Sequence, residues 1–511
     1  MKKSERNASS LVKKIIRIII GAIALIIQGA IFYLIFFSLP QYQPIYLIME
    51  ILAIITVLVI FKQNANSSYK LSWTIVILLL PFGGIILYLA YGRGRALPQR
   101  KHKKLINYLE LYSKKESGTK IIDLDLKYQK MINLIENSTN EQLYINNNCL
   151  FLEDGMRFFD EFLNVIKKAE KYIFLEYFII KEGIMWNEIK SILIDKAKNG
   201  VEIKIIYDDI GSRKGMFAPS IKRIEGVENI KMVPFNPLGF NLSLSINYRD
   251  HRKILVVDGK YAIVGGINIG DEYIHVEKRF GYWRDNALFI EGDAVISYIS
   301  MFSSTWFLST KEMLIIDNYV SKNNLVNNKG YMIGIGDGPS VNSNPTYDLF
   351  LSMFNNAEKY IYISTPYFII DTEFINTLVL AIKSGIDVRI LLPHIPDKKT
   401  VFMMTKSNYG DILRAGGKIY EYTPGFNHAK NVICDDEYAF IGTVNADYRS
   451  FFLHFECGAF VIDMPAIRSM KNDFLEALNV SKEITLDEWE KRSKISKIFE
   501  TILGITSPLM W

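Results

Sequence analysis

Apolar residues are concentrated in three stretches near the start of the chain. Residues 18–37 and 71–91 contain no charged residue, and residues 45–61 contain a single one, Glu50. An apolar helix of about 20 residues is long enough to cross a bilayer. The pattern therefore predicts a membrane anchor over residues 1–95 with two or three transmembrane helices, of which 45–61 is the weakest candidate.

Behind the anchor, residues 96–141 are polar with helical spacing and predict a connecting segment. A strand–helix–strand pattern then occurs twice. The first copy begins with Ala169-Glu-Lys-Tyr-Ile-Phe-Leu175 and the second with Ala357-Glu-Lys-Tyr-Ile-Tyr-Ile363. Strands and helices in alternation favour an α/β sandwich in each half. We therefore expect two domains of the same fold, at 142–326 and 327–485.

Residues 486–511 form a separate C-terminal tail. Five apolar residues recur there at the spacing of one helix face: Ile495, Ile498, Phe499, Ile502 and Ile505. Lysine and arginine residues lie near them, a combination typical of a helix on a membrane surface. A helix that packs on the globular part fits the same pattern, so both interpretations stay open.

One eight-residue pattern, His-x-Lys-x-x-x-x-Asp, occurs twice in a chain with only six histidines. The first copy comprises His251, Lys253 and Asp258, and the second comprises His428, Lys430 and Asp435. A glycine and an asparagine follow each histidine after 14 and 17 residues: Gly265 and Asn268 in the first copy, Gly442 and Asn445 in the second. A single copy would be weak evidence. Two copies with the same downstream offsets predict a duplicated catalytic unit.

The spacing of the pattern places its polar side chains together. Residues two apart on a strand point to the same face, so each histidine should share a surface with its lysine. Asp258-Gly259 is a hairpin-turn signal, and a turn there would bring Asn268 back toward His251. Two such surfaces facing each other would suit a phosphodiester. One histidine attacks phosphorus, the other protonates the leaving oxygen, and the lysines and asparagines hold the non-bridging oxygens.

These motifs make the chain resemble the phospholipase D superfamily and, within it, the bacterial cardiolipin synthases. The resemblance covers nearly the whole chain. Beyond the paired motifs it includes Phe280-Gly-Tyr-Trp-Arg-Asp285, Gly442-Thr-Val-Asn-Ala-Asp-Tyr-Arg-Ser450 and the membrane segment that starts at Tyr69. It implies two phospholipase D-like α/β sandwich domains packed with pseudo-symmetry, behind an N-terminal transmembrane helical region.

The resemblance also implies roles for individual residues. His251 corresponds to the nucleophile, which would carry a phosphohistidine, and His428 corresponds to the acid. The motif lysines and aspartates are counted with the catalytic group, and the downstream glycines and asparagines support it. Carboxylates that follow each motif orient the histidines in this family, which suggests Asp285 and Glu456. The chain departs from the family pattern at His454, where many relatives carry asparagine, so the hydrogen bonding beside Glu456 should differ here.

The implied activity is phosphatidyl transfer. One phosphatidylglycerol would donate its phosphatidyl group to His251 and a second would accept it, giving cardiolipin and glycerol. Two alternatives stay open: a phospholipase D that uses water as the acceptor, and a catalytically inactive membrane scaffold. Intact His, Lys, Asp and Asn residues in both halves count against the scaffold. The motifs do not separate the two enzymes, because both form the same covalent intermediate.

Charge is distributed unevenly along the chain and bears on the substrate. Residues 1–104 hold 14 Lys and Arg against two acidic residues, whereas residues 105–511 hold 46 against 52. A nuclease would be expected to keep its positive charge around its active site. The excess beside the apolar stretches favours membrane lipids, phosphatidylglycerol among them, and no nucleic acid as partner.

Basic residues flank the anchor on both sides, within 2–17 and 93–104. The positive-inside tendency would keep both groups cytoplasmic, which requires an even number of spans, whereas three stretches are present. We therefore expect that 45–61 does not cross fully. The chain would be a multi-pass protein of the cell membrane with its catalytic domains on the cytoplasmic face.

The three cysteines, Cys149, Cys434 and Cys457, form no Cys-x-x-Cys motif and no paired framework. Neither a disulfide nor a zinc site is therefore expected. No acidic cluster suggests a required metal, and chemistry by paired histidines and lysines needs none. We expect no cofactor.

Overall fold

The computed structural model describes residues 43–63, 66–92, 124–139, 141–213, 226–237, 248–321, 330–339 and 344–510, together with Gly29, Ala30, Tyr33 and Ile224. Most of the first apolar stretch, 18–37, lies outside the described residues. So do both basic groups that flank the anchor.

The first N-terminal helix of the described region has the length of a membrane span. α1 (Gln43–Lys62) has a mean hydropathy of 2.6 in its most apolar part and leaves most of its side chains exposed. At about 1.5 Å per residue, such a helix reaches about 30 Å, the thickness of a bilayer core. It is the one helix among the described residues that is long and apolar enough to cross a membrane. The weakest candidate of the sequence, 45–61, is thus a continuous helix of span length.

Residues 71–91, which are one of the candidate spans, do not form a continuous helix. They are divided among α2 (Ser67–Leu79), α3 (Pro81–Leu87) and a π-helical turn, Tyr88–Gly92. The break falls at Leu80, whose φ of −132° and ψ of 70° are not helical. Pro81 follows, and it has no N–H with which to continue the helical hydrogen bonds. At about 1.5 Å per residue, α2 covers only about 20 Å.

The first globular domain is built on a seven-stranded sheet. Its strands are β1 (Asn147–Leu152), β2 (Tyr172–Tyr177), β3 (Glu202–Asp208), β4 (Ile230–Phe235), β5 (Lys253–Val257), β6 (Tyr261–Gly265) and β8 (Ala287–Gly292). Their order across the sheet is β1-β8-β6-β5-β2-β3-β4. A further short strand, β7 (Tyr282–Arg284), lies outside this sheet. The strand that carries the first motif is therefore central.

The second domain repeats this arrangement in an eight-stranded sheet. Its strands are β9 (Tyr331–Asp337), β10 (Tyr360–Ser364), β12 (Asp387–Pro393), β13 (Lys418–Tyr422), β15 (Asn431–Cys434), β16 (Tyr438–Gly442), β18 (Glu456–Ile462) and β19 (Ser481–Ile484). The order β9-β18-β16-β15-β10-β12-β13-β19 matches the first sheet strand for strand, apart from the extra edge strand β19. Three short strands, β11 (Phe368–Ile369), β14 (Gly425–Asn427) and β17 (Ala446–Asp447), pair outside this sheet.

Helices cover both faces of each sheet. The helices of the globular part are α4 (Leu126–Ser138), α5 (Gly155–Lys167), α6 (Ile184–Lys198), α7 (Val295–Thr310), α8 (Pro345–Asn356), α9 (Thr372–Lys383), α10 (Lys399–Ser407), α11 (Tyr409–Ala415), α12 (Tyr448–Phe452), α13 (Pro465–Asn479) and α14 (Leu486–Glu490), with a short 3₁₀ turn at Ile316–Asn318. α5 and α6 pack on the first sheet, and α4, α8 and α9 on the second. α7 and α13 share one apolar core that both sheets contribute to. The expected pair of α/β domains with pseudo-symmetry is confirmed.

The hairpin turn predicted at the end of the first motif is present, and the second motif ends in the same way. Asp258-Gly259 joins β5 to β6 with φ values of 53° and 67°. Asp435-Asp436 joins β15 to β16 with φ values of 59° and 65°. Two consecutive left-handed residues are typical of the type I′ turn, whose twist matches that of antiparallel strands.

The C-terminal helix α15 (Lys494–Met510) combines both interpretations of the tail. It packs against α2 and α10, and the Ser72 hydroxyl donates to the Ile505 carbonyl at 2.6 Å. Its apolar stripe nevertheless stays open, with exposed fractions from 41% at Ile505 to 69% at Ile495. The tail is therefore a helix docked beside the N-terminal helices with one apolar face uncovered.

Candidate active site

The two motif histidines are held by backbone hydrogen bonds that run between the domains. The His251 N–H donates to the Phe455 carbonyl at 2.8 Å, and the His428 N–H donates to the Arg284 carbonyl at 2.7 Å. The second contact continues as a parallel pairing of β14 with β7. Each histidine is thus positioned by the opposite domain, which explains why both halves are needed to form one site.

The carboxylates that orient the imidazoles are also exchanged between the domains. Glu456 follows Phe455, and both of its carboxylate oxygens lie 2.9 Å from Nδ1 of His251. Asp285 follows Arg284, and its Oδ2 lies 2.5 Å from Nδ1 of His428. An imidazole that donates its Nδ1 proton to a carboxylate presents an unprotonated Nε2. Two histidine–carboxylate pairs of this kind meet where the domains join.

Each carboxylate is fixed by its own neighbours. The Thr443 hydroxyl donates to Glu456 Oε2 at 2.5 Å, and the Asn286 N–H donates to Asp285 Oδ1 at 2.9 Å. The residue that corresponds to Thr443 in the first half is Gly266. A Cβ atom there would lie 2.1 Å from Asp285 Oδ1, so only glycine leaves room for the carboxylate.

The two motif lysines are fully enclosed beside the histidines. Each ammonium donates to the carbonyl of its own motif histidine, and Lys430 Nζ also lies 2.8 Å from Nδ1 of His428. Burial lowers the pKa of Lys253 to about 8 and that of Lys430 to about 7, although Glu456 and Asp285 act against this change. A phosphate group with its negative charge would restore the charged form of both lysines.

Both motif imidazoles are neutral at pH 7. Burial and the neighbouring lysines hold the pKa of His251 well below its ordinary value. Burial and Lys430 lower the pKa of His428 to about 4, against the opposing effect of Asp285. A neutral imidazole is the form that can act as a nucleophile or a base.

The motif aspartates, Asp258 and Asp435, lie far from the motif histidines. Asp258 accepts the backbone N–H groups of residues 170–172 at 2.7–2.9 Å, and Asp435 accepts those of residues 358–360 at the same distances. At about 3.3 Å per residue along the strand, each aspartate lies about 16 Å from its motif lysine. Their inclusion in the catalytic group is therefore corrected: they anchor the far end of the motif strand to the start of the neighbouring one.

The four supporting residues lie around the site in different ways. Asn268 accepts from the Ile179 N–H at 3.1 Å and donates to the Tyr273 hydroxyl at 2.6 Å, whereas the side-chain oxygen of Asn445 has no hydrogen-bond partner. Gly265 and Gly442 allow neighbouring strands to approach, because a Cβ would lie 2.5 Å from the Asn286 carbonyl or 2.4 Å from that of Cys457. The two glycines thus shape the sheet beside the carboxylates.

Arg252 is a buried residue of the site that the sequence motifs did not indicate. Its guanidinium donates to the backbone carbonyls of Glu456 at 3.0 Å and Asp337 at 3.2 Å, and to the Thr305 hydroxyl at 3.2 Å. It therefore fixes the strand that carries Glu456 to the first domain. The corresponding residue of the second motif is Ala429, so repeat comparison alone gave no reason to select Arg252.

His454 lies next to the first histidine–carboxylate pair. Its Nδ1 is 3.7 Å from Glu456 Oε1, and its ring centre is 5.5 Å from that of His251. Burial lowers the pKa of His454 to about 3. Among the described residues, His251, His454 and Glu456 are the group of side chains that could hold a metal ion, with ligand atoms all within 4.8 Å of one another.

Two duplicated α/β domains, joined through exchanged histidine–carboxylate contacts, define a phospholipase D-type protein. A family model described as "Cardiolipin synthase, PLD-like domain" matches residues 162–306 and 350–478. A second model, described as the phospholipase D-nuclease N-terminal region, matches residues 51–93. The chain belongs to the cardiolipin synthase family of phospholipase D-like proteins.

Curated relatives cover nearly the whole chain. A cardiolipin synthase of Halalkalibacterium halodurans is 35% identical over 463 residues, which are 89% of this chain and 91% of that protein. The major cardiolipin synthase ClsA of Bacillus subtilis is 33% identical over 488 residues, 91% of this chain and 98% of the relative. The match therefore includes the N-terminal helices as well as both globular domains.

The fold is also found in a solved structure. A phosphatidylserine synthase of Haemophilus influenzae superimposes with a TM-score of 0.57 at 15% identity, covering 75% of this chain and 98% of that one. At this identity the similarity concerns the fold alone. It agrees with a two-domain phospholipase D-like architecture.

Proposed function

We propose that this chain is a cardiolipin synthase, which transfers a phosphatidyl group between two molecules of phosphatidylglycerol to give cardiolipin and glycerol. Relatives named cardiolipin synthase, which match nearly the whole chain, carry the choice of acceptor, and the exchange of Glu456 and Asp285 between the domains carries the chemistry of transfer. Each exchanged carboxylate prepares one imidazole for reaction at Nε2, and the lysines beside them supply the positive charge that a phosphodiester requires.

In the first step, His251 attacks the phosphorus atom of one phosphatidylglycerol. The Nε2–P bond forms and the bond from phosphorus to the glycerol oxygen breaks. His428 donates a proton to this oxygen, and glycerol leaves. The bound phosphodiester offsets the lysine charges that lower the pKa of His428, so substrate binding raises this pKa and favours the acid form.

In the second step, the headgroup hydroxyl of another phosphatidylglycerol attacks the phosphohistidine. His428 now takes the hydroxyl proton, the new O–P bond forms, and the bond to His251 breaks. Lys253 and Lys430 stay in contact with the non-bridging oxygens in both steps, because these oxygens carry the negative charge of the phosphate group throughout.

Membrane lipids are the partners that the helical region fits best. We place α1 across the membrane and α2, α3 and α15 at its surface. A second crossing by the apolar stretch 18–37, most of which lies outside the described residues, would satisfy the positive-inside tendency with both basic groups of the anchor on one side. The domains at 142–326 and 327–485 would then lie on the cytoplasmic face.

The surface position of α15 follows from what surrounds it. α15 packs on α2, and the N-terminal helices also expose apolar residues, among them Leu78, Leu79 and Ile86. α10, on which α15 rests, also contacts β11, and β11 pairs with β17 directly after Asn445. A bilayer that covers the apolar stripe of α15 would bring lipid headgroups to the side of the second domain that carries the site.

The proposal is tested with the purified full-length chain in vesicles of phosphatidylglycerol. We expect release of glycerol and formation of cardiolipin in equal amounts, and loss of both with His251→Ala or His428→Ala. Release of phosphatidic acid without cardiolipin would show that water is the acceptor and that the chain is a phospholipase D. Neither product, with a folded protein, would show an inactive scaffold.

A further inference from the structure

The group formed by His251, His454 and Glu456 has the composition of a transition-metal site. We propose that these three side chains bind one Zn²⁺ ion, and that this binding inhibits the enzyme by taking the nucleophile out of its reactive form. The inhibitory part of this inference rests on the proposed function, whereas the metal site does not.

The distances within the group suit a zinc ion. Nitrogen and oxygen ligands lie about 2.0–2.1 Å from zinc, so two ligands of a tetrahedral site are about 3.3 Å apart. The observed separations from Glu456 are 2.9 Å to His251 Nδ1 and 3.7 Å to His454 Nδ1, one on each side of this value. The third separation is at most 4.8 Å. Small movements of three side chains are enough to close the site.

His454 is the independent sign that a ligand belongs here. Only 7% of the His454 surface is exposed, yet neither ring nitrogen has a hydrogen-bond partner. A buried polar group without a partner is unfavourable and rare in folded proteins. A metal ion would satisfy one of these nitrogens.

The chemistry of the group selects the ion. Two imidazoles and one carboxylate suit zinc and copper, whereas magnesium and calcium prefer sites made entirely of oxygen. Lys253 and Lys430 oppose any cation through their charge, since both lower the pKa of His251. We therefore expect moderate affinity for zinc and no detectable binding of magnesium.

Zinc binding would block the first chemical step by changing the tautomer of the nucleophile. A bond from zinc to Nδ1 of His251 replaces the hydrogen bond to Glu456, and the Nδ1 proton moves to Nε2 of the same ring. The Nε2 lone pair is then used by the proton and cannot attack phosphorus. The fourth zinc position stays open to water or to a phosphate oxygen.

Direct binding tests the site without reference to catalysis. Tag-free full-length protein in detergent is titrated with Co²⁺, whose visible absorption reports tetrahedral nitrogen ligands, and with Zn²⁺ by calorimetry. We expect one ion per chain. His454→Asn should weaken binding more than about 10-fold, as loss of a contact to a metal does, whereas His394→Asn, a half-exposed histidine paired with Glu421, should leave it unchanged.

Inhibition is measured as the ratio of transfer rates with and without zinc, so that differences in basal rate between variants do not enter. The wild-type protein should lose activity with zinc, recover it with EDTA and be unaffected by magnesium. His454→Asn should require at least 10-fold more zinc for the same inhibition. No zinc binding by wild type, or unchanged affinity in both His454→Asn and His454→Gln, would overturn the site. Zinc binding by a chain that forms no cardiolipin would instead refute the proposed function and leave the site intact.

Discussion

The exchanged carboxylates lead to a prediction that distinguishes the two histidines. Glu456→Gln removes the charge that faces His251, and Asp285→Asn removes the charge that faces His428. Both variants keep the size and hydrogen-bonding capacity of the side chain, so the packing around the site should be preserved. Because each carboxylate contacts the histidine of the opposite domain, Glu456→Gln should impair His251 as a nucleophile. Asp285→Asn should impair His428 as an acid and base.

The size of the effect follows from the contacts. Glu456 meets His251 with two oxygens at 2.9 Å, and Asp285 meets His428 at 2.5 Å, inside a site from which solvent is largely excluded. A hydrogen bond to a charged group contributes about 1.5–3 kcal/mol, which corresponds to about 10- to 150-fold in rate if it is made fully in the transition state. We expect either variant to lower kcat by an amount in this range with phosphatidylglycerol.

A substrate with a good leaving group separates the two variants. A p-nitrophenyl ester of phosphatidic acid needs no proton on its leaving oxygen, so step one no longer depends on His428. Asp285→Asn should then release a rapid burst of about one nitrophenol per active site. Turnover afterwards should be slow, because step two still needs His428 as a base. Glu456→Gln should show no burst, since its nucleophile is impaired whatever the leaving group.

Gly266→Ala provides a matched variant that leaves every ionisable group in place. Its Cβ would lie 2.1 Å from Asp285 Oδ1, so the carboxylate must move away from His428. We expect the same pattern as for Asp285→Asn: slow transfer from phosphatidylglycerol and a rapid burst with the nitrophenyl ester. Thr443→Val, which removes a hydrogen bond to Glu456, should lower the burst rate instead.

The adduct itself decides which histidine reacts. In Asp285→Asn and in His428→Asn, peptide mapping after the burst should find an acid-labile, base-stable phosphatidyl group on His251. A burst in Glu456→Gln but none in Asp285→Asn would mean that Asp285 orients the nucleophile, and an adduct on His251 would then show that each carboxylate serves the histidine of its own domain. An adduct on His428 in the reciprocal His251→Asn protein would mean that the two roles are reversed.

Three further predictions follow from the site. Asp258→Asn removes a charge that accepts three backbone N–H groups and should lower the free energy of unfolding by about 2–4 kcal/mol, while kcat per folded molecule stays near wild type in assays matched to denaturation curves. Lys430, with its pKa lowered to about 7, loses its charge as pH rises through this value, so kcat/KM should fall above pH 7. In Lys430→Arg, whose charge persists, any remaining decline should follow Lys253 near pH 8, and a wild-type rate that is flat from pH 6 to 9 would contradict this reasoning. EDTA should leave transfer intact, whereas a strict requirement for added magnesium would favour a two-metal mechanism.

Local sequence patterns were sufficient to predict the duplicated fold. The repeated strand before each helix and the Asp258-Gly259 turn both depend on residues close together in the chain. Such signals predict β5 and its hairpin because side-chain alternation and left-handed turn residues act over a few positions. The same reasoning placed each histidine beside its own lysine, as the shared surface around His428 and Lys430 shows.

Contacts between distant segments could not be predicted from such local patterns. Asp285 and Glu456 each lie a few dozen residues after a motif, and this spacing would allow either carboxylate to contact either motif histidine. The exchange is decided by the Arg284 and Phe455 carbonyls, which bind the opposite histidine backbone. The break within 71–91 could not be predicted for a related reason: composition measures how apolar this stretch is, but the break at Leu80 and Pro81 depends on backbone geometry.

The motif aspartates show how one short pattern can combine two physical requirements. His251 and Lys253 must present their side chains at one end of β5, where the domains meet. Asp258 must hold the other end of the same strand in register with β2, through three backbone N–H groups of residues 170–172. A slip of one residue would turn every side chain of the strand to the opposite face and remove the lysine from the phosphate. The fixed spacing between lysine and aspartate therefore links the proposed site to register, although only the lysine lies beside the histidines.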